Sequence, residues 1–172
     1  PKKAIEDLWE GIKTNLMNAY NMRTPEDVKQ GLAWYPRAHD ICADMGKELD
    51  FNSQSVAHAL SALSPRNKRE RNIIDARNVL EAVNDGKGPD DVKVCTFNTN
   101  KVKAFEIARG NLTIDKVSPK TYSFVKNIAE LDETRVTIDV WHLRASFGYY
   151  FKMRSRSRSE GLRISGDRLG YS

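Results

Sequence analysis

The chain has 172 residues, 40% of them hydrophobic and 30% charged, with a mass of 19.6 kDa and a mean hydropathy of −0.61. That is long enough for one buried core with room for a small satellite, and no apolar run approaches the ~20 residues of a membrane span or forms the apolar stretch of a signal segment. Two cysteines, Cys42 and Cys95, are too few for a disulfide framework, a four-cysteine zinc site or an iron–sulfur cubane, so the expectation is a reducing cytoplasm and no cofactor; a net charge of +5 and a pI of about 9.2 admit a polyanionic partner without requiring one.

Ile5, Leu8, Trp9, Ile12, Leu16, Ala19 and Tyr20 recur at helical spacing and predict an amphipathic helix over about residues 2–21. Thr24, Pro25, Glu26 and Asp27 read as a helix start, with Thr as N-cap, Pro in the first turn and acids at the positive end of the dipole. Pro36 disfavours a helical Tyr35, so that helix is expected to stop near Trp34 and another to run over 37–49. Ser53 is placed to cap a segment carrying Val56, Ala57, Leu60 and Leu63, whose many small residues predict a central, closely packed helix broken at Ser64 and Pro65. A long helix to about Val83 follows, with Ile73, Ile74, Ala76, Val79, Leu80 and Val83 inward, then a loop over 84–89. Asn98 or Thr99 caps a short helix ending at Gly110, Ser118 and Pro119 open the next, and Val136–Ile138 is a short extended stretch. Asp139 stands where the N-cap of a helix over 140–147 would stand; after Tyr150 the pattern loses its period in an Arg/Ser-rich segment. The expectation is an all-α domain over 1–151 of seven or eight helices, with a basic tail over 152–172, or a chain that continues past Ser172.

The positive charge is clustered. Residues 64–77 carry five basic against two acidic side chains, 98–126 six against two, and 152–172 six against two, whereas residues 1–50 are net negative. Clusters that converge on one face suit a polyanion, although solvated helix faces would also account for them. Two residues could carry chemistry. Asp139 at a helix start would be held ionised by backbone amides and the dipole; Lys120, desolvated at the head of its own helix, would be a nucleophilic amine. Each also has a plain reading, as a cap and as a solvated lysine. His39, His58 and His142 lack metal-ligand spacing, and no metal is expected. Trp141 is expected in the core, as are Trp34 and Tyr35 unless they form a patch for a base.

Three stretches in order resemble the helix-hairpin-helix (HhH-GPD) DNA glycosylase superfamily, whose familiar member is endonuclease III. Leu63, Ser64, Pro65, Arg66 and Asn67 resemble the Leu-Ser-x-Gln that ends the family's central helix. Asn100, Lys101, Val102, Lys103, Ala104 and Phe105 with Ile107 resemble the helix before the hairpin. Lys120 and Thr121, followed by Val136 through Arg144, resemble the family's Lys-Thr and Val-Asp-x-His-x-x-Arg. The likeness spans a little over half the chain and extends to phage and bacterial proteins with a Ser-Pro-Arg motif. It implies a DNA glycosylase that flips a modified or damaged base out of the duplex, with Asp139 as the essential carboxylate and, where strand cleavage (AP lyase activity) follows, Lys120 as the attacking amine. It places Arg66 in the gap left by the flipped base, with Asn67, Lys68, Lys101, Lys103, Ser118, Thr121 and Arg144 as further DNA-binding residues and a monomer as the favoured state. The glycines of the family's hairpin are missing from Asp115–Thr121, and its cluster-binding cysteines are absent. The rivals are a catalytically inactive DNA-binding phage or bacterial protein that keeps the fold, and an adaptor binding acidic surfaces through its Arg/Ser tail.

Overall fold

The computed structural model describes residues 2–148, and every described element is helical: α1 (Lys2–Asn21), α2 (Pro25–Leu32), α3 (Trp34–Leu49), α4 (Ser53–Leu63), α5 (Arg69–Asn84), a 3₁₀ turn (Pro89–Asp91), α6 (Asn98–Ala108), α7 (Pro119–Ala129) and α8 (Val140–Phe147). The all-α expectation holds; the Arg/Ser-rich tail lies outside the described residues. The chain divides into two compact units, one spanning Ala33–Thr137 and the other joining residues up to Leu32 with those from Ile138 onward.

In the larger unit α4 is the central element, packed by α3, α5, α6 and α7. Its small residues do what the sequence suggests: Ala57, Ala59, Ser61 and Ala62 are buried together with Val56, Leu60 and Leu63, so neighbouring backbones can approach from several sides. Met45, Val79, Leu80, Phe105, Val125 and Ile128 complete the interior, each large side chain contributing about 1.5–3 kcal/mol when fully removed from water. The N-cap of α4 is Asn52 rather than Ser53, its side chain accepting from the Gln54 N–H at 2.8 Å. Helix α3 begins three residues earlier than Pro36 suggests. Pro36 falls in the first turn, where a missing N–H costs nothing, and Trp34 and Tyr35 are held helical by packing edge-on to each other (4.9 Å between centroids) and against Phe124 (5.6 and 6.4 Å). Along α5, Ile74 is 49% exposed while Asp75, one residue on, is fully buried, which reverses the inward assignment of Ile74.

In the smaller unit α1 packs against α8, and Asn15 Nδ2 donates to the Ser146 carbonyl at 3.0 Å. Thr24 caps α2 reciprocally with Asp27: the Thr24 hydroxyl accepts from the Asp27 N–H at 3.1 Å, and the Asp27 carboxylate accepts from the Thr24 N–H at 2.8 Å. That carboxyl lies below its usual range because it accepts from the Thr24 backbone N–H and from the Thr24 hydroxyl. Helix α8 closes on Gly148, whose φ of 67° lets its N–H reach the Arg144 carbonyl.

Candidate functional site

Between α4 and α5 the chain makes a tight turn, with the Asn67 N–H donating to the Ser64 carbonyl at 3.1 Å. Pro65 takes the second position of the turn and Arg66 the third, at a φ of 60°. Glycine is the usual occupant there; a residue with a Cβ costs about 1–3 kcal/mol and persists where its surroundings impose it. The Arg66 guanidinium stands 5.4 Å from the centroid of the Phe97 ring, which is 45% exposed. Arg66, Cys95, Thr96 and Phe97 line a depression of about 390 Å³.

The turn and the segment facing it are tied together. Thr96 donates its hydroxyl to the Pro65 carbonyl at 2.7 Å, and Asn100 Nδ2 donates to that hydroxyl oxygen at 3.0 Å. Asn67, expected to face DNA, turns its side-chain amide inward, donating to Asp75 at 2.8 Å and to the Leu63 carbonyl at 3.4 Å. Lys101 reaches the Val92 carbonyl at 3.0 Å. Lys68 is exposed at the N-cap position of α5, and Lys103 is half-buried on α6. The side chains of Arg66, Lys68 and Lys103 make no hydrogen bond or ion pair among the described residues. Elsewhere in this unit the cations are neutralised locally, as in Arg77–Glu48 at 2.6 Å, Lys87–Asp85 at 2.8 Å and Arg109–Glu106 at 3.2 Å. Of Arg66, Lys68 and Lys103, Arg66 lines the depression itself.

Ser118, Lys120 and Thr121 gather at the start of α7 in the same unit. Ser118 is its N-cap without a side-chain hydrogen bond; the Thr121 hydroxyl donates to the Ser118 carbonyl at 3.1 Å, and Lys120 is half-buried. At the far end of α7, buried Asn127 fixes the chain that follows: its Nδ2 donates to the carbonyls of Asp132 at 2.8 Å and Arg135 at 2.9 Å, and its Oδ1 accepts from Thr137 at 2.9 Å. No sequence motif pointed to Asn127, whose role appears only when the 131–137 segment folds back.

Asp139 and Arg144 belong to the smaller unit. Asp139 is the N-cap of α8, as its position predicts. Its Oδ1 accepts from the Trp141 N–H at 2.8 Å and the His142 N–H at 3.2 Å, and lies 3.1 Å from His142 Nδ1. All three contacts fall on one oxygen; Oδ2 has no hydrogen bond among the described residues. Burial pushes the Asp139 carboxyl up, but the hydrogen bond to the His142 ring and those to the two backbone amides together hold it below its usual range. The same pairing raises His142, against the opposing effect of burial. Trp141, expected in the core, is 66% exposed, with the Arg144 guanidinium 4.4 Å over its ring.

Residues 2–162 match the family of unknown function DUF7178. The chain belongs to DUF7178. No curated protein and no solved structure matches it. The match runs through both units, so the Arg66 turn and the Asp139 cap are both parts of the DUF7178 chain. In the larger unit His39 Nδ1 meets the Ile128 carbonyl at 2.9 Å, and His58 Nδ1 accepts from the Ile114 N–H at 3.0 Å. Burial, and then the nearby Lys126 charge, lower His58, consistent with a neutral ring accepting that bond. Among the described residues no group of three His, Cys, Asp or Glu side chains could hold a metal ion, and no helix is long and apolar enough to cross a membrane.

Proposed function

We propose that the chain is a DNA-binding protein of the helix-hairpin-helix glycosylase type that releases a modified or damaged base, with Asp139 as its essential carboxylate and Lys120 as the candidate amine of a lyase step. The observation that carries the chemistry is the division of labour within Asp139. One oxygen caps α8 and holds the group ionised, and the other is uncommitted among the described residues. A base leaving its sugar places positive charge on the anomeric carbon, and an ionised carboxylate fixed at a helix start stabilises that charge without having to reorganise. The motif likeness of Lys120, Thr121 and Val136–Arg144 supports the same reading. DNA binding is supported by the unpaired cations at Arg66, Lys68 and Lys103 and by the arginine kept at a backbone position that favours glycine.

Asp139→Asn tests the proposal. Asparagine caps a helix about as well as aspartate, so the variant keeps α8 and loses the charge. The measurement is alkali-labile abasic sites in duplexes carrying uracil, 5-substituted pyrimidines, or alkylated or oxidised purines. Wild type should release one of these bases, and Asp139→Asn should do so at least about 100-fold more slowly. Borohydride should trap a covalent DNA adduct in wild type and none in Lys120→Ala if the lyase step exists. A second reading is favoured by the fact that Asp139 already has a structural duty as a cap: the protein binds DNA and does no chemistry. Tight, salt-dependent binding with no base released from any of these duplexes selects it.

A further inference from the structure

Deep in the larger unit lies a carboxylate to which the proposed chemistry gives no part. Asp75, in the second turn of α5, has no exposed surface, yet three donors from three stretches of chain converge on it. Its Oδ2 accepts from Asn67 Nδ2 at 2.8 Å and from the Cys95 N–H at 2.7 Å, and its Oδ1 accepts from Arg71 Nε at 2.8 Å. Burying a carboxylate is unfavourable by several kcal/mol unless its lone pairs are met, and here each donor comes from a place that matters. Asn67 closes the turn that carries Arg66. The Cys95 amide belongs to the segment that carries Phe97. Arg71 holds the carboxylate from its own helix and supplies the compensating charge.

We infer that Asp75 is a positioning residue for the DNA-contacting surface: by clamping the 64–67 turn to the 93–97 segment it sets Arg66 against Phe97 and keeps the depression between them open. This rests on the DNA-binding reading above. The clamp also accounts for the backbone of Arg66. A residue with a side chain persists at a positive φ where its flanks are fixed, and both flanks are fixed here, Pro65 through its carbonyl to Thr96 and Asn67 through its amide to Asp75. A hydrophobic residue at 75 could fill the space but could not receive the Cys95 N–H. An asparagine there can turn its NH₂ toward Arg71 and still accept from Asn67 and the Cys95 N–H, whereas leucine, of similar size and with no acceptor, opens the clamp.

The test is a double-mutant cycle read by the affinity for a fluorescein-labelled duplex of unmodified DNA of about 20 base pairs at several salt concentrations. Arg66→Ala and Asp75→Leu should each weaken binding by about tenfold. The double variant should be within about twofold of the weaker single one, because Arg66 has nothing to contribute once its turn is released. Lys103→Ala should weaken binding by the same factor with or without Asp75→Leu, so that the coupling is confined to Arg66. Multiplying effects of Arg66→Ala and Asp75→Leu overturn the inference while leaving DNA binding intact. Should Asp75→Leu not fold, Asn67→Ala removes the turn limb alone and takes its place in the cycle. Amide hydrogen exchange, measured on the same proteins without DNA, gives a readout independent of the ligand. Faster exchange at the Cys95 N–H, with the α4 amides unchanged, upholds the clamp, and unchanged exchange overturns it. Failure of wild type to bind the duplex overturns the DNA reading, and amide exchange then decides the clamp by itself.

Discussion

At the scale of single residues, the pair at the start of α8 has a pH dependence whose sign follows from its two shifts. His142 is raised above 6.5, so its contribution to stability is complete below that value and is lost as pH rises through the folded value. Asp139 is lowered below 3.8, so its contribution is complete above that value and is lost as pH falls through the folded value. The ion pair therefore acts across the interval between them. Both side chains are partly exposed, 31% for Asp139 and 50% for His142, which limits the gain to under about 1 kcal/mol. Chemical denaturation of wild type and His142→Gln should show the largest difference between those two pH values, shrinking through the neutral range; a constant difference would remove the ion pair from the account. Asp139 was legible as a cap from its type and place, but its partner was not, because the third helical residue in a reciprocal cap is ordinarily Glu or Gln. Asp75 was harder still. It follows Ile73 and Ile74, and apolar periodicity assigns the inward face to isoleucine until the donors from Asn67 and Cys95, distant in sequence, are brought to it.

At the scale of elements, proline and cap residues marked the starts of α2, α7 and α8 and the end of α4. Thr24 with Pro25, Ser64 with Pro65, Ser118 with Pro119, and Asp139 all stand at or beside a boundary that folds as expected. The start of α3 was missed because an aromatic cluster completed by Phe124 on α7 outweighs the local preference of the residue before Pro36. The end of α3 gives a direct test of packing against propensity. Gly46 is buried in the last turn, and a Cβ there would lie 2.6 Å from the Phe51 carbonyl oxygen, beside the left-handed Asp50 that reverses the chain. Alanine improves helix propensity by about 1 kcal/mol, while overpacking costs about 1–3 kcal/mol. Backbone cannot move aside as a flexible side chain can, so Gly46→Ala should lower the denaturation midpoint. A higher midpoint would mean that the α3–α4 turn yields.

At the scale of the whole molecule, every residue that is buried among the described ones lies between Ala38 and Ile128, inside the larger unit. A chain of residues 33–137 should therefore unfold cooperatively on heating, followed by helical circular dichroism; a broad, non-cooperative melt would show that the core needs the rest of the chain. The division at 32–33 and 137–138 left no trace in composition. Leu32 and Ala33 run almost directly into α3, and only Ile138 separates Thr137 from Asp139, so no Gly-, Pro- or Ser-rich linker marks either crossing. The two candidate reacting groups, nineteen residues apart in sequence, lie on opposite sides of the second crossing, Lys120 in the larger unit and Asp139 in the smaller.

The two thiols differ in a way that makes the native sequence its own reporter. Cys42 is buried in α3 and burial pushes it up to about 12, whereas Cys95 is exposed on the rim shared by Arg66 and Phe97. Only the thiolate attacks an alkylating dye, so a maleimide fluorophore added to the unaltered chain would report from beside the depression, and its emission would follow whatever enters there.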